Sequence, residues 1–184
     1  LEKARENNLA LLVIGNPLTA TTHIQLVLDA KRLGVECKTI PGISIVEYLP
    51  LTGLDAYKFG RIITIVEPRE GYAPTGFFDF ILSNREKGLH TLCLLDIQAE
   101  EKRLLSIARA IEIIEDAAQK KRRNVNEWIL VGLAGMGGKN AQVKAGTPEE
   151  LKSFKFTQFP QCLIVCGTLN EKELEGLKTL SGLK

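Results

Sequence analysis

Apolar positions along this chain alternate between short unbroken runs and longer stripes at three-four spacing. Leu9-Ala10-Leu11-Leu12-Val13-Ile14 is continuous and stops at Gly15, the pattern of a strand buried on both faces. After Asn16-Pro17, Thr21 or Thr22 can cap a helix whose stripe is Ile24, Leu26, Val27, Leu28, Ala30 and Leu33, ended by Gly34. Residues 36–40 read as a second short strand and Pro41-Gly42 as a turn, with a helix expected from Ser44. Strand, turn and helix in repetition are the order of a parallel sheet covered by helices, so the expected class is α/β.

The texture changes over 51–60, which is turn-rich and lacks long periodicity. That places a domain boundary there and divides the chain into 1–60 and 61–184. Beyond it, a strand is expected over 61–66, a polar loop over 67–74 and a helix over 76–87 stopped by Gly88. A buried strand over 90–95 is closed by Asp96. The longest helix is expected over 101–122, where Leu104, Leu105, Ile107, Ala108, Ile111, Ile114, Ala117 and Ala118 make the stripe. Two paired strands, 128–134 and 141–145, flank the turn Gly135-Met136-Gly137-Gly138. Thr147 caps a short helix with Pro148 at its first position, 162–166 is a last strand, and Asn170 caps the final helix.

Composition narrows the class. The chain has 184 residues, 45% hydrophobic and 25% charged, values of an ordinary globular protein. A net charge of +2 is far from the basic footprint of a nucleic-acid binder. No apolar run approaches the ~18 residues that span a bilayer. Lys120-Lys121-Arg122-Arg123 reads first as a helix end whose cations complement the macrodipole, and second as a docking patch for an acidic partner. The four cysteines, Cys37, Cys93, Cys162 and Cys166, form no C-x-x-C pair and read as buried reduced thiols of a cytosolic protein. The chain opens on Leu1 and its one methionine is Met136, so a fragment or a processed chain is expected.

The chemistry is sparse. His23 and His90 each lack a second ligand at helix spacing, which argues against a metal site. No nucleophile elbow, P-loop or dinucleotide fingerprint occurs, and Gly135 to Gly138 reads as an inter-strand turn before a phosphate cradle. Two loops nevertheless stand where open α/β sheets bind ligands, just past the strand ends: Gly15 to His23 and Ile40 to Ile45. They serve equally as ordinary turns or as a binding site.

These segments are where a resemblance appears. Gly15-Asn16-Pro17 with Ala20-Thr21-Thr22-His23 resembles a G-D-P-x-x-A-T-T-H motif, and Ser44-Ile45 an S-I dipeptide. Gly53-Leu54 with Tyr57-Lys58-Phe59-Gly60 resembles G-L-x-x-Y-K-F-G, and His90 to Ile97 resembles H-T-L-C-L-L-D-I. Val131-Gly132-Leu133-Ala134 and Ala145-Gly146-Thr147 follow in the same order. All are motifs of the diphthine synthase family within the tetrapyrrole-methylase-like superfamily. The resemblance implies two α/β domains, with S-adenosylmethionine bound in the cleft between them and S-adenosylhomocysteine released. It implies methylation of the amino group of a modified histidine on translation elongation factor 2, in diphthamide biosynthesis, by a cytoplasmic homodimer. By position, the donor-contacting residues are expected to be Asn16, Thr19, Ser44, Ile45, Leu95, Met136 and Gln161. Asn16 stands where the family has aspartate and Gln161 where it has histidine. The family's opening strand and glycine-rich loop are not in this sequence, so the first domain is expected to be partial.

Methyl transfer from a sulfonium is a direct displacement by the acceptor amine, so positioning can supply much of the rate. No side chain is expected to be an essential catalytic base, and no metal is expected. Two other readings compete: a sister methylase acting on a tetrapyrrole or an RNA, and a truncated, non-catalytic paralogue.

Overall fold

The structure is a computed structural model that describes residues 1–98 and 103–184. The chain divides into two compact units, Leu1–Tyr48 and Leu49–Lys184.

The first unit holds a 3-10 turn, Glu2–Arg5, and helix α1, Ile24–Arg32. Neither expected strand forms. Residues 9–14 and 36–40 have no strand partner among the described residues, and Leu12 and Ile14 are 92% and 104% exposed. A strand buried on both faces needs hydrogen-bonded neighbours and helical cover. The apolar run has neither within this unit. Neither Thr21 nor Thr22 caps α1; His23 stands at its N-cap without a side-chain bond, and Thr21 Oγ1 accepts from the His23 backbone N–H instead. Ala30 is the one residue of α1 that is buried. Cys37, expected buried, is exposed because its strand does not form. The helix expected from Ser44 is a 3-10 run, Ile45–Thr52, with Pro50 inside it.

The second unit is built on a five-stranded sheet of order β1-β2-β7-β5-β6. The strands are β1 (Ile63–Ile65), β2 (Thr91–Leu95), β5 (Leu130–Ala134), β6 (Gln142–Gly146) and β7 (Gln161–Val165). A separate two-stranded ribbon pairs β3 (Ile97–Gln98) with β4 (Arg103–Leu104). Only β1 and β2 run parallel; the other pairs are antiparallel, so the sheet is mixed rather than parallel. The hairpin β5–β6 forms as expected around the glycine turn.

Helices α2 (Gly76–Glu86), α3 (Ile107–Lys120), α4 (Pro148–Ser153) and α5 (Glu171–Leu180) complete the unit. Phe78 and Ile81 of α2 and Ile107, Ile111 and Ile114 of α3 join Leu130, Leu163 and Val165 of the sheet in one core. Local chemistry sets the helix starts. Thr147 and Asn170 each make a complete capping box, with Glu150 and Glu173 as the reciprocal partners. Helix α3 begins later than its apolar stripe suggests. Ser106 is extended and its hydroxyl accepts from Arg109 N–H, which makes it the N-cap, while Leu104 lies in β4. Residues 101 and 102 of the expected helix lie outside the described residues.

Candidate functional site

In the first unit the loop 15–23 meets the loop 40–45. Asn16 Nδ2 donates to the Gly42 carbonyl at 3.1 Å, and Asn16 Oδ1 accepts from Leu18 N–H at 2.9 Å. The approach is close enough that a Cβ on Gly42 would stand 2.3 Å from the Gly15 carbonyl oxygen. Ser44 is buried; its hydroxyl accepts from Val46 N–H, and its own N–H donates to Glu47 at 2.7 Å. Ile45 and Thr19 are half-buried. His23 Nδ1 lies 3.0 Å from the Pro17 carbonyl, which fixes the proton on that nitrogen.

In the second unit the register gathers the remaining expected residues at one end of the sheet. Ile65 is opposite Leu95, Leu94 is opposite Cys162, and Gln161 is opposite Ala134, whose strand runs directly into the turn carrying Met136. Leu95 and Gln161 are buried and Met136 is half-buried. Gln161 Oε1 accepts from Ile107 N–H at 2.8 Å, and its Nε2 donates to the Gln158 carbonyl at 2.9 Å. Its amide therefore satisfies a backbone donor at the start of α3. Gln161→Ala would leave that buried N–H without its acceptor and should lower stability by about 1–3 kcal/mol in urea unfolding.

The same sheet end opens into cavities absent from the sequence reading. Strands β1 and β2 run out into Glu67 and Asp96, and both side chains line a cavity of about 200 Å³ that reaches Leu105, Ser106 and Arg109. Arg109 Nε donates to Glu67 Oε1 at 3.0 Å, one terminal nitrogen pairs ionically with the same oxygen at 2.9 Å, and the other donates to Glu112 at 2.8 Å. Those two carboxylates hold the Arg109 guanidinium charged, with its pKa raised above the ordinary arginine value. The signal available in the sequence was an acidic residue directly after each of two apolar strands. Glu67 was read as the start of a polar loop.

Reactive groups are scarce among the described residues. Burial raises the Cys162 and Cys166 thiols to about 12 and lifts Cys93 as well, so none is a thiolate at neutral pH. His90 is fully buried and committed: its Nε2 lies 2.8 Å from Glu173 Oε1, and Gly167 N–H donates to its Nδ1 at 2.9 Å. No group of three His, Cys, Asp or Glu side chains converges as metal ligands among the described residues. No described helix is long and apolar enough to cross a membrane.

The residues present suit S-adenosylmethionine in kind. Leu95 and Met136 are apolar side chains of the kind that would wall an adenine or thioether, while Gly15 and Gly42 let the loops 15–23 and 40–45 approach one another. The side chains of Asn16 and Gln161 are bonded to backbone partners, so they brace the loops and strands from which a ligand would be held.

The chain belongs to the tetrapyrrole (corrin/porphyrin) methylase family, whose model matches residues 1–151. Within that family its similarity runs to proteins named diphthine synthase. It is 35% identical over 184 residues to that of Methanosphaera stadtmanae, covering 98% of this chain and 70% of the relative. It is 37% identical over 185 residues to that of Staphylothermus marinus, covering 100% and 68%. A crystal structure of diphthine synthase superposes with a TM-score of 0.86 at 30% identity, covering all of this chain and 69% of that one. The chain thus spans about 70% of the length of such relatives.

Proposed function

We propose that this protein transfers methyl groups from S-adenosylmethionine to the amino group of the modified histidine of translation elongation factor 2, the diphthine synthase step of diphthamide biosynthesis. The match to diphthine synthases over essentially the whole chain carries this reading. When bound, the donor supplies a methyl group on a positively charged sulphur that is already activated for displacement. The chain's part is to hold donor and acceptor in line and to exclude water.

For that role, Leu95 and Met136 form the apolar wall, and Thr19, Ser44 and Ile45 present their loops to the donor. Asn16 and Gln161 hold those loops and strands in place through the hydrogen bonds described above. The N-terminal and C-terminal parts of the chain act as two domains, in a cytoplasmic homodimer. The acceptor amine is its own nucleophile, and no side chain need take its proton in the transition state. His23→Gln should accordingly leave turnover far above the ~100-fold loss expected on removing a general base. A loss of that size with S-adenosylhomocysteine binding unchanged would contradict this mechanism.

The reading is tested by calorimetric titration with S-adenosylhomocysteine. Saturable binding supports a donor site, and no binding favours a non-catalytic relative. Methylation assays on elongation factor 2, a tetrapyrrole and an RNA separate this enzyme from sister methylases.

A further inference from the structure

Two cavities at the carboxyl end of the parallel pair β1–β2 share a wall. The first, about 200 Å³, is lined by Glu67, Asp96, Ser106 and Arg109. The second, about 360 Å³, is lined again by Glu67 and Asp96 and extends to Val66, Arg69 and Tyr72. The paired backbones of Arg69 and Tyr72, at 2.8 and 2.9 Å, close a tight turn through Gly71, which stands at φ +74°. That turn leaves the Tyr72 ring 59% exposed at the rim.

Glu67 is the best-defined group of the shared wall. Arg109 fastens it through Oε1 alone, and Arg109 is itself fixed by Glu112. Among the described residues, Glu67 Oε2 accepts no hydrogen bond, so an anchored carboxylate that lines both cavities keeps one oxygen for a ligand. Asp96 directly follows Leu95, one of the two apolar wall residues. Parallel strand ends are also where α/β sheets receive ligands.

We infer that the two adjoining cavities beside Glu67 and Asp96 bind the acceptor, with Glu67 Oε2 accepting an N–H of the amine to be methylated and Tyr72 packing against the acceptor's histidine ring. This rests on the methyltransferase reading above and assigns the acceptor's place within it. The chemistry suits the site: a neutral amine keeps two N–H donors after it becomes nucleophilic, so a carboxylate can orient it without occupying its lone pair. An exposed tyrosine ring offers a rigid apolar face for an imidazole at low entropic cost. The preorganisation of Glu67 by Arg109 means little ordering remains to be done on binding.

Glu67→Gln keeps an oxygen for Arg109 and removes the charge from the cavity, so it is the informative change. The probe is elongation factor 2 carrying the unmethylated modified histidine, bound to the full chain, with S-adenosylhomocysteine affinity and thermal melting measured on the same samples. The expected result is acceptor binding weakened tenfold or more in Glu67→Gln and in Tyr72→Ala, with S-adenosylhomocysteine affinity and melting within error of the parent. Unchanged acceptor affinity in Glu67→Gln overturns the assignment, as does a parent chain that fails to bind this acceptor. A parent chain that binds the acceptor through Glu67 but never S-adenosylhomocysteine supports the assignment and overturns the methyltransferase reading.

Discussion

Glu173→Ala should cost about 3–5 kcal/mol of folding stability, a large share of the ~5–15 kcal/mol typical of a domain. The carboxylate is 2% exposed and accepts from four donors: Lys58 Nζ, His90 Nε2, Asp55 N–H and Asn170 N–H. Removing it strands the buried imidazole N–H, leaves the Lys58 ammonium with only the Thr168 carbonyl, and takes the reciprocal arm from the α5 capping box. The exposed Glu171→Ala, in the same helical turn, is the control and should change stability by less than ~0.5 kcal/mol.

The same group predicts the pH dependence. Burial pushes the Glu173 carboxyl up, but its four hydrogen bonds outweigh burial and hold it down to about 2. A folded value below the unfolded one, ~4.3, means the carboxylate stabilises the protein above that unfolded value, and the contribution is lost as pH falls toward 2. Burial lowers the His90 pKa despite its bond to Glu173. Below the unfolded value of ~6.5 the unfolded chain therefore binds a proton that the folded chain resists. Both groups make acid destabilising, beginning below pH ~6.5 and steepening below ~4.3. Urea midpoints between pH 7 and 3 check this; Glu173→Gln should flatten the lower part of the curve.

Gly176→Ala should destabilise by about 3 kcal/mol, the upper end of the range for overpacking, although alanine is the better helix former by ~1 kcal/mol. Gly176 lies in α5 with its Cα against Gly53, which has φ +93°. A Cβ on residue 176 would stand 2.7 Å from the Gly53 carbonyl oxygen and 2.8 Å from its Cα. The obstacle is backbone, so no side chain can swing away. Nearby, Ser181 Oγ donates to the Thr52 carbonyl at 2.8 Å and holds the same segment to the end of α5. An unfolding midpoint raised by Gly176→Ala would show that this contact can relax.

What was legible in the sequence follows from the range of the interactions concerned. The N-caps at Thr147 and Asn170 and the hairpin across Gly135 to Gly138 are decided within a few residues and were readable, while the reciprocal bonds of Glu150 and Glu173 came with the structure. The run 9–14 was not, because an apolar hexapeptide is a strand only if neighbours exist to pair with it. Helix α3 was misplaced at its start because Leu104 and Leu105 continue the apolar spacing past the point where Ser106 caps the backbone. For the site, family motifs pointed to Leu95, Met136 and Gln161, and their convergence at one sheet end is a property of register. Glu67 escaped because its meaning depends on Arg109, 42 residues away. His90 looked like an isolated strand residue for the same reason: its partner Glu173 is 83 residues distant.

The most direct measurement is transfer of labelled methyl from S-adenosylmethionine to elongation factor 2 carrying the precursor-modified histidine. Label should appear on that residue, and be absent from elongation factor 2 whose histidine is unmodified. If the chain binds S-adenosylhomocysteine yet transfers no label, while a diphthine synthase relative labels the same preparation, the proposed function is contradicted.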